Sequence, residues 1–165
     1  MPEKNDTVQL TPATDQHCAF ARDLTRRAML RYYHEFDLLW IEEAFDQAWT
    51  WREQWLIVED DRLLGFCSLS QDRQALYIRE LHLIESARGQ GVGTRVLGLL
   101  AGWAAERRLP LMRLTVFKSN PAQALYQRQG FDAVGEDECF VRMQRVIDWR
   151  AAGTAAVPVP PGSPD

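Results

Sequence analysis

One stretch, from Leu81 to Thr94, constrains the fold of this 165-residue chain more than any other. It begins with an apolar run that predicts the end of a buried strand near Ile84, and it continues through a glycine-rich turn. After the turn, apolar residues recur at helical spacing, namely Val92, Val96, Leu99, Leu100, Trp103 and Ala104. The sequence therefore predicts a strand, a tight turn and a helix in direct succession.

The predicted turn has the features of an anion site. The N–H groups in the first turn of a helix have no partner within the helix, and the helix dipole favours negative charge there. Gly89, Gly91 and Gly93 allow the backbone to approach a ligand closely. Arg88 adds a permanent positive charge whose fork suits phosphate oxygens. A phosphate-bearing ligand is therefore the expected occupant.

Two common phosphate-binding motifs do not match this turn. A Walker A loop ends in glycine, lysine and serine or threonine, but here Gly93 is followed directly by Thr94. The dinucleotide-binding motif has two residues between its second and third glycines, whereas this turn has only Val92 between Gly91 and Gly93. The pattern that remains is Arg-x-x-Gly-x-Gly after a strand.

A second motif runs from Asn120 to Phe131, as asparagine, a few residues, Ala-x-x-Leu-Tyr and then Gly-Phe. The two motifs in this order resemble the two signatures of the GNAT superfamily of N-acetyltransferases, whose members bind acetyl-coenzyme A. The resemblance is specific from about Ala75 to Phe131, and it covers the rest of the chain only as an order of strands and helices. It points to a superfamily rather than to a substrate.

The resemblance implies an α/β fold of the α+β type, a single domain over residues 1–150 with a mixed sheet of about six or seven strands and helices on both faces. The sequence itself predicts strands over 7–11, 55–59, 63–69, 75–83, 111–117 and roughly 138–146. It predicts a helix capped by Asp15, a second across Trp40 to Trp49, a third that ends with Arg107 and Arg108, and a short one over 122–129. The Ala- and Pro-rich tail, 151–165, is predicted to be disordered.

Composition argues against several classes of partner. The formal net charge of −4 does not suggest a nucleic-acid partner, and no apolar run approaches the ~20 residues that a membrane span needs. The N-terminus lacks a signal-peptide core, and the three cysteines have no C-x-x-C spacing. They are expected to be reduced, partly buried thiols of a cytoplasmic protein, and a catalytic thiol is the alternative that the sequence leaves open. No cluster of residues suggests a metal site.

The resemblance also assigns residues to coenzyme A. The backbone of Leu83 is expected to pair with the acetyl-pantetheine arm, where its strand splays from its neighbour. The pyrophosphate is expected to lie against the Arg88 side chain and the amides of Gly89, Gln90, Gly91, Val92, Gly93 and Thr94. Asn120 is expected to contact the pantetheine or the acceptor side of the cleft. Tyr126 is the predicted general acid for the leaving thiolate. The alternative is a purely structural role, in which the Tyr126 ring only packs its helix against the sheet.

The reaction would benefit from a base, because an amine with a pKa of ~10.4 is neutral in only about one molecule in 2,500 at pH 7. Glu80 is the first candidate, since a carboxylate on a mostly apolar strand is costly to bury and the superfamily often has one near this position. His82, on the same face of the strand, is the second candidate. A water relay is the third. The structural alternative pairs Glu80 with an arginine such as Arg79 or Arg113.

The stretch from Met29 to Trp51 is both aromatic and acidic. The simplest interpretation is a core face and a solvated face. A second interpretation is a lid over an acceptor pocket, because aromatic rings and carboxylates favour a cationic amine, and the first two helices of the superfamily usually border the acceptor site. The substrate-binding residues on this hypothesis are Tyr32, Tyr33, Glu35 and Trp40.

These observations predict an N-acetyltransferase that transfers an acetyl group from acetyl-coenzyme A to a primary amine by direct attack in a ternary complex. A small cationic amine is the favoured acceptor, and a protein or peptide amine is also compatible with these residues. Two alternatives stay open, a non-catalytic acyl-coenzyme A sensor and a nucleotide-phosphate-binding module of another kind. Dimers are common in the superfamily, so a second copy of the chain is a candidate partner. The sequence does not distinguish an acetyl donor from one with a longer acyl chain.

Overall fold

Residues 8–152 are described by the computed structural model. Their strands are β1 (Val8–Pro12), β2 (Glu53–Glu59), β3 (Arg62–Gln71), β4 (Ala75–Leu83), β5 (Leu111–Phe117), β6 (Asp132–Glu136) and β7 (Phe140–Val146). Their α-helices are α1 (Cys18–Glu35), α2 (Glu42–Trp51), α3 (Val92–Glu106), α4 (Ala122–Arg128) and α5 (Trp149–Ala152). Short 3-10 helices occupy Asp15–His17 and Glu85–Ala87.

The seven described strands belong to one mixed sheet in the order β1-β2-β3-β4-β5-β7-β6. The β4–β5 pair is parallel, and the β1–β2, β2–β3, β5–β7 and β6–β7 pairs are antiparallel. The predicted mixed sheet of six or seven strands is therefore confirmed. The chain forms two compact units, of which the first contains the described residues up to Leu69 together with Arg79–Val96. The second contains Ser70–Ile78 and the described residues from Leu97 onward.

In the first unit, α1 and α2 cover an apolar core whose buried members are Ala21, Leu24, Trp49, Leu56 and Phe66. Ala21 and Leu24 lie on one face of α1 because residues three and four apart are neighbours on a helix. An ion pair on the solvent side connects the two helices, with Arg22 Nη1 2.7 Å from Asp46 Oδ1. The predicted cap of the first helix was wrong, because the N-cap of the 3-10 helix that leads into α1 is Thr14 rather than Asp15.

The β2–β3 hairpin of the first unit has a polar turn, as the residues between the two predicted strands indicate. Asp60 and Asp61 both adopt positive φ, 50° and 64°, which is typical of the tight turns that match the twist of a hairpin. Farther along β3, Gly65 lies against the backbone of β4, where an added Cβ would collide with the carbonyl oxygen of His82. The glycine therefore allows a close approach of the two strands.

In the second unit, the largest fully buried side chains include Met112 on β5, Phe131 after α4 and Met143 on β7. Helix α4 ends at Arg128 with Gln129 as its C-cap, and Gly130 follows in the left-handed conformation, φ 89°, as its place before Phe131 predicts. The last strand was predicted over roughly 138–146, but β7 begins at Phe140 and is preceded by β6, which was not predicted. The turn between them is held by Asp137 Oδ1, which accepts the Phe140 N–H at 2.8 Å and the Cys139 N–H at 2.9 Å.

Several predicted boundaries differ from those observed. Helix α1 continues to Glu35, and α2 begins at Glu42, so Trp40 lies in the connection between them rather than in a helix. Helix α3 ends at Glu106, so Arg107 and Arg108 follow it rather than form its last turn. The disordered tail predicted over 151–165 starts within α5, and its residues 153–165 lie outside the described part of the chain, as does position 7 of the first predicted strand.

Candidate active site

Strand β4 places two of the candidate bases on one face of the sheet, because side chains two residues apart in a strand point the same way. Glu80 Oε1 and His82 Nε2 are 2.8 Å apart, so the two groups form one hydrogen-bonded pair. The Glu80 side chain is 23% exposed and that of His82 is 9% exposed. Both are therefore largely shielded, but neither is fully enclosed.

The arginine beside Glu80 is Arg52, which lies between α2 and β2, with Nη1 4.0 Å from Glu80 Oε2. The expected partners were Arg79 or Arg113, and Arg113 instead donates to Gln144 Oε1 and to the Tyr77 hydroxyl. Burial lowers the pKa of Arg52, and the negative charge of Glu80 opposes this effect. The Arg52 Nε atom is enclosed by protein and has no hydrogen-bond acceptor.

A connected set of aromatic side chains leads to this pair, and we call it the aromatic cluster: Tyr33, Trp40, Phe45, Trp49 and Phe66. Ring centroids of Tyr33 and Trp40 are 5.5 Å apart, those of Trp40 and Phe45 6.1 Å, and those of Phe45 and Phe66 6.5 Å. Phe66 in turn lies 5.9 Å from the His82 ring. The cluster therefore continues from the connection after α1 to the imidazole on β4.

Tyr33 connects the aromatic cluster with Glu80. Burial raises the pKa of its phenol, and the negative charge of Glu80 raises it further. The side chain of Tyr33 is thus close enough to Glu80 to sense its charge, while its ring contacts Trp40. One predicted substrate-binding residue, Tyr33, is therefore brought near the first candidate base, and its ring contacts a second one, Trp40.

The other two predicted substrate-binding residues lie elsewhere on α1. Tyr32 is only 4% exposed, and its hydroxyl accepts a hydrogen bond from Arg31 Nη2 at 2.7 Å. Most of its surface is therefore covered by protein. Glu35 is exposed in the last turn of the helix.

The glycine loop of the first unit has the backbone that its sequence predicts. Gly89 and Gly91 adopt positive φ, 73° and 77°, and an added Cβ would meet no atom within 4 Å at either position. Backbone conformation, rather than lack of space, therefore requires glycine here. Helix α3 begins at Val92, and its first backbone hydrogen bond runs from the Arg95 N–H to the Gly91 carbonyl at 3.1 Å.

The amides that precede this bond are available to a ligand. Within residues 8–152, no protein oxygen accepts a hydrogen bond from the backbone N–H groups of residues 89–94. Because these groups lie at the positive end of the α3 dipole, they favour an anion. The residues fit the diphosphate of coenzyme A, which is an anion that accepts several hydrogen bonds.

Side chains hold the loop in this conformation. Arg88 Nε donates to the Leu83 carbonyl at 3.1 Å, and Gln90 Nε2 donates to the Ser86 carbonyl at 2.9 Å. Arg95 donates to the Gln90 carbonyl at 3.1 Å and to Glu59 Oε2 at 3.3 Å. The loop is therefore connected to the end of β4, to α3 and to β2.

The end of β4 extends past its parallel neighbour. The β4–β5 pairing runs from Ala75 with Leu111 to Ile78 with Leu114. Leu83, whose backbone is the predicted partner of the pantetheine arm, lies beyond that last pair. The splay of β4 at Leu83 and the contact of its backbone with the ligand stay predictions.

The second unit contains the other motif. Asn120 Oδ1 accepts the Ala122 N–H at 2.8 Å, but the N-cap of α4 is Pro121 rather than Asn120, which the sequence favours as the cap. The half-buried Tyr126 ring packs edge-to-face on Phe131 at 5.9 Å, and the Tyr126 carbonyl accepts the Phe131 N–H at 3.0 Å. The motif therefore begins and ends α4. The contact of Asn120 with a ligand and the role of Tyr126 as an acid stay predictions.

Two arginines of the site carry no signal in the sequence. Arg52 is an isolated residue between a helix and a strand, and its neighbour Glu80 is remote in the chain. Arg95 occupies an ordinary position in the first turn of α3, and only the fold brings it to Glu59.

In residues 8–152, no group of three or more His, Cys, Asp or Glu side chains could hold a metal ion. No helix of that part of the chain is long and apolar enough to cross a membrane.

The fold and the loop define an α/β protein with a strand, an amide-lined loop and a helix at its anion site. Residues 21–131 match the Acetyltransferase (GNAT) family, and the chain belongs to that family. The superfamily predicted from the two sequence motifs is therefore confirmed.

Solved structures of other acetyltransferases share this fold. Spermidine N-acetyltransferase from Vibrio cholerae, in complex with CoA and spermine, is 15% identical with a TM-score of 0.70, over 89% of this chain and 99% of that one. Ribosomal-protein-S18-alanine N-acetyltransferase from Escherichia coli is 17% identical with a TM-score of 0.68, over 85% and 94%. A GNAT family acetyltransferase from Elizabethkingia anophelis with acetyl-CoA bound is 18% identical with a TM-score of 0.68, over 86% and 99%. At these identities the likeness establishes the fold.

Proposed function

We propose that this protein is an N-acetyltransferase that acetylates a primary amine with acetyl-coenzyme A, by direct attack in a ternary complex. The observation that carries the proposal is the set of backbone amides of residues 89–94 that have no protein acceptor at the start of α3. With the Arg88 guanidinium, they suit the diphosphate of coenzyme A. Membership of the family and the CoA-bound structures from Vibrio cholerae and Elizabethkingia anophelis support this choice of ligand.

Bound acetyl-coenzyme A supplies a thioester carbonyl carbon that an amine can attack and a thiolate that can leave. The residues of this chain handle the protons. Deprotonating an amine of pKa ~10.4 at pH 7 costs roughly 4.6 kcal/mol, and the Glu80–His82 pair takes that proton directly or through a water molecule. Tyr126 gives its phenol proton to the departing sulfur, an assignment supported by its place in the Asn120 to Phe131 motif.

The acceptor that this chemistry favours is a small cationic amine. The side chains of the aromatic cluster approach a carboxylate at Glu80, and aromatic faces attract an ammonium by about 0.5–2 kcal/mol, depending on its exposure. The spermine in the Vibrio cholerae structure supports an amine of this kind. The positively charged Arg52 Nη1 lies 4.0 Å from Glu80 Oε2, so amino acids, which also carry a carboxylate, belong in any acceptor panel as well.

The test is a thiol-release assay of the purified protein with acetyl-coenzyme A and a panel of cationic, zwitterionic and neutral amines. We expect turnover with at least one cationic amine and a fall in kcat of at least about tenfold in Tyr126→Phe. A protein that binds acetyl-coenzyme A but releases no thiol with any amine, with either residue at position 126, would instead be a sensor.

Binding of the donor is measured separately by equilibrium titration. Arg88→Ala should weaken acetyl-coenzyme A binding by about 10- to 150-fold, the range for loss of a hydrogen bond to a charged group. The matched control, Arg73→Ala, removes an exposed arginine from the turn before β4 and should leave binding unchanged. Tighter binding of ATP than of acetyl-coenzyme A would favour a nucleotide-binding module.

A further inference from the structure

The hydrogen bond between Glu80 and His82 has a direction. A carboxylate can only accept, so the 2.8 Å contact between Glu80 Oε1 and His82 Nε2 requires that Nε2 carries the proton. In a neutral imidazole the other nitrogen then has a lone pair. The tautomer that the contact selects therefore leaves Nδ1 of His82 as the basic nitrogen.

That nitrogen is open to a reactant. In the described part of the chain, His82 Nδ1 has no hydrogen-bond partner, and it is not one of the enclosed polar atoms that lack one, which are Trp40 Nε1, Arg52 Nε and Gln54 Oε1. The side chain keeps 9% of its surface accessible. A proton can therefore reach Nδ1 without displacing a protein partner.

Three neighbours fix the position of the ring. Glu80 accepts from one edge, the Phe66 ring lies 5.9 Å away at an interplanar angle of 40°, and the His82 carbonyl lies against Gly65 of the adjacent strand. The second oxygen of Glu80 faces Arg52 Nη1 at 4.0 Å. The two carboxylate oxygens are thus directed to different partners, one to the imidazole and one to the guanidinium.

We propose that Nδ1 of His82 is the proton acceptor of the reaction, and that Glu80 and Arg52 are positioning residues that fix its tautomer and its plane. This proposal rests on the acetyltransferase function proposed above. One proton of the acceptor ammonium passes to Nδ1. The proton on Nε2 stays there and keeps its hydrogen bond to Glu80. The amine lone pair then forms the C–N bond at the thioester carbonyl carbon, and the C–S bond breaks. The sulfur takes the proton of Tyr126, while the second amine proton and the proton on Nδ1 pass to solvent and to the phenolate.

The tautomer is measured directly by long-range ¹H–¹⁵N correlation of the imidazole nitrogens. The chain has three histidines, and His82→Gln assigns the signals of this one by their loss. We expect the Nε2–H tautomer for neutral His82, and in Glu80→Gln a shift toward the Nδ1–H form, because an amide can donate to Nε2. An Nδ1–H tautomer in the unaltered protein would overturn the proposal. This spectrum needs no acceptor, so its result stands apart from the outcome of the activity assay.

Kinetics separate a positioned base from two independent bases. His82→Ala should lower kcat by about 10²- to 10⁴-fold, the usual contribution of a general base. Because the pair acts as one unit, the double variant Glu80→Ala/His82→Ala should lie within about threefold of His82→Ala alone. Added imidazole should restore part of the activity to His82→Ala and none to Glu80→Ala. Losses that multiply in the double variant would show that Glu80 is a base in its own right.

Arg52 is tested with a charge-retaining variant and a neutral one. Arg52→Met should lower kcat by about tenfold or more with little change in KM, whereas Arg52→Lys should retain most of the activity. Affinity for acetyl-coenzyme A and the thermal unfolding midpoint, compared with those of Arg73→Ala, serve as folding controls. Full kcat and an unchanged His82 tautomer in a folded Arg52→Met protein would show that Arg52 does not position the imidazole.

Discussion

Two glycines with equally open surroundings should respond to alanine in opposite directions. At both Gly91 and Gly98, an added Cβ would meet no atom within 4 Å, so sterics with the rest of the protein do not distinguish them. Gly91 has φ 77°, and an L-residue other than glycine pays roughly 1–2 kcal/mol to adopt a left-handed backbone. Gly98 lies within α3, where alanine is better than glycine by roughly 0.5–1 kcal/mol.

The two effects together predict that Gly98→Ala is more stable than Gly91→Ala by about 1.5–3 kcal/mol. Urea unfolding at 25 °C, with equal m-values as the condition for comparison, measures this difference. Gly91→Asn provides an intermediate case, because asparagine tolerates the left-handed region better than alanine does. From the most to the least stable, the variants should therefore rank as Gly98→Ala, Gly91→Asn and Gly91→Ala.

The same variants test the role of the loop in binding. Gly91→Ala should weaken acetyl-coenzyme A binding, because relief of the strained φ turns neighbouring amides away from the ligand. Gly98→Ala should leave the affinity within about twofold, a difference of less than ~0.5 kcal/mol. If alanine at position 91 were as well tolerated as alanine at position 98, in both stability and binding, the positive φ and the amide directions inferred from it would be wrong.

Three further variants test separate parts of the fold. Gly65→Ala should cost at least about 1–3 kcal/mol and also lower activity, because its Cβ would collide with the His82 carbonyl; unfolding and thiol-release assays check both effects. Burial raises the pKa of Cys67 to about 12, so its thiol should be unreactive in the folded protein. In a variant whose other two cysteines are replaced by serine, Cys67 should react with a disulfide reagent at pH 8 only as fast as the protein unfolds. Rapid labelling of the native protein would contradict that burial. The Gln74 and Ala75 amides donate to Asp72 and lower its pKa, so this group stabilises the fold above its ordinary pKa and loses that effect as the pH falls through the lowered value. Asp72→Asn should therefore reduce the loss of stability on acidification below about pH 4, and a parallel decline in urea-unfolding series of both proteins would refute the assignment.

The parts of this structure that local chemistry determines were predicted well. Strand β4 was predicted with its observed bounds, Ala75–Leu83, because a mostly apolar run lies there between a polar turn and the glycine-rich loop. The glycine loop and the αL residue Gly130 follow from backbone constraints that few other residues satisfy. For these elements the sequence pattern and the tertiary structure agree.

The parts that were missed depend on contacts between distant residues. Strand β6 has an Asp132–Glu136 sequence with charged ends and a glycine, and it is the last strand of the sheet order, where polar residues are tolerated. Tyr32 and Tyr33 are adjacent in the sequence, and only the rotation of α1 buries one and turns the other toward Glu80. No periodicity relates Arg52 to Glu80, so their ion pair required the fold.

The bond from Arg88 Nε to the Leu83 carbonyl has a consequence for how the donor is received. Arginine has five N–H donors, and this bond uses one of them, so the guanidinium is already anchored while the others stay available to phosphate oxygens. Part of the ~2 kcal/mol of rotamer entropy in such a side chain is then lost on folding rather than at the moment of capture. A lysine at this position would keep the charge but would lack this planar, anchored geometry. The end of β4 would then no longer be hydrogen-bonded to the side chain that faces the phosphates.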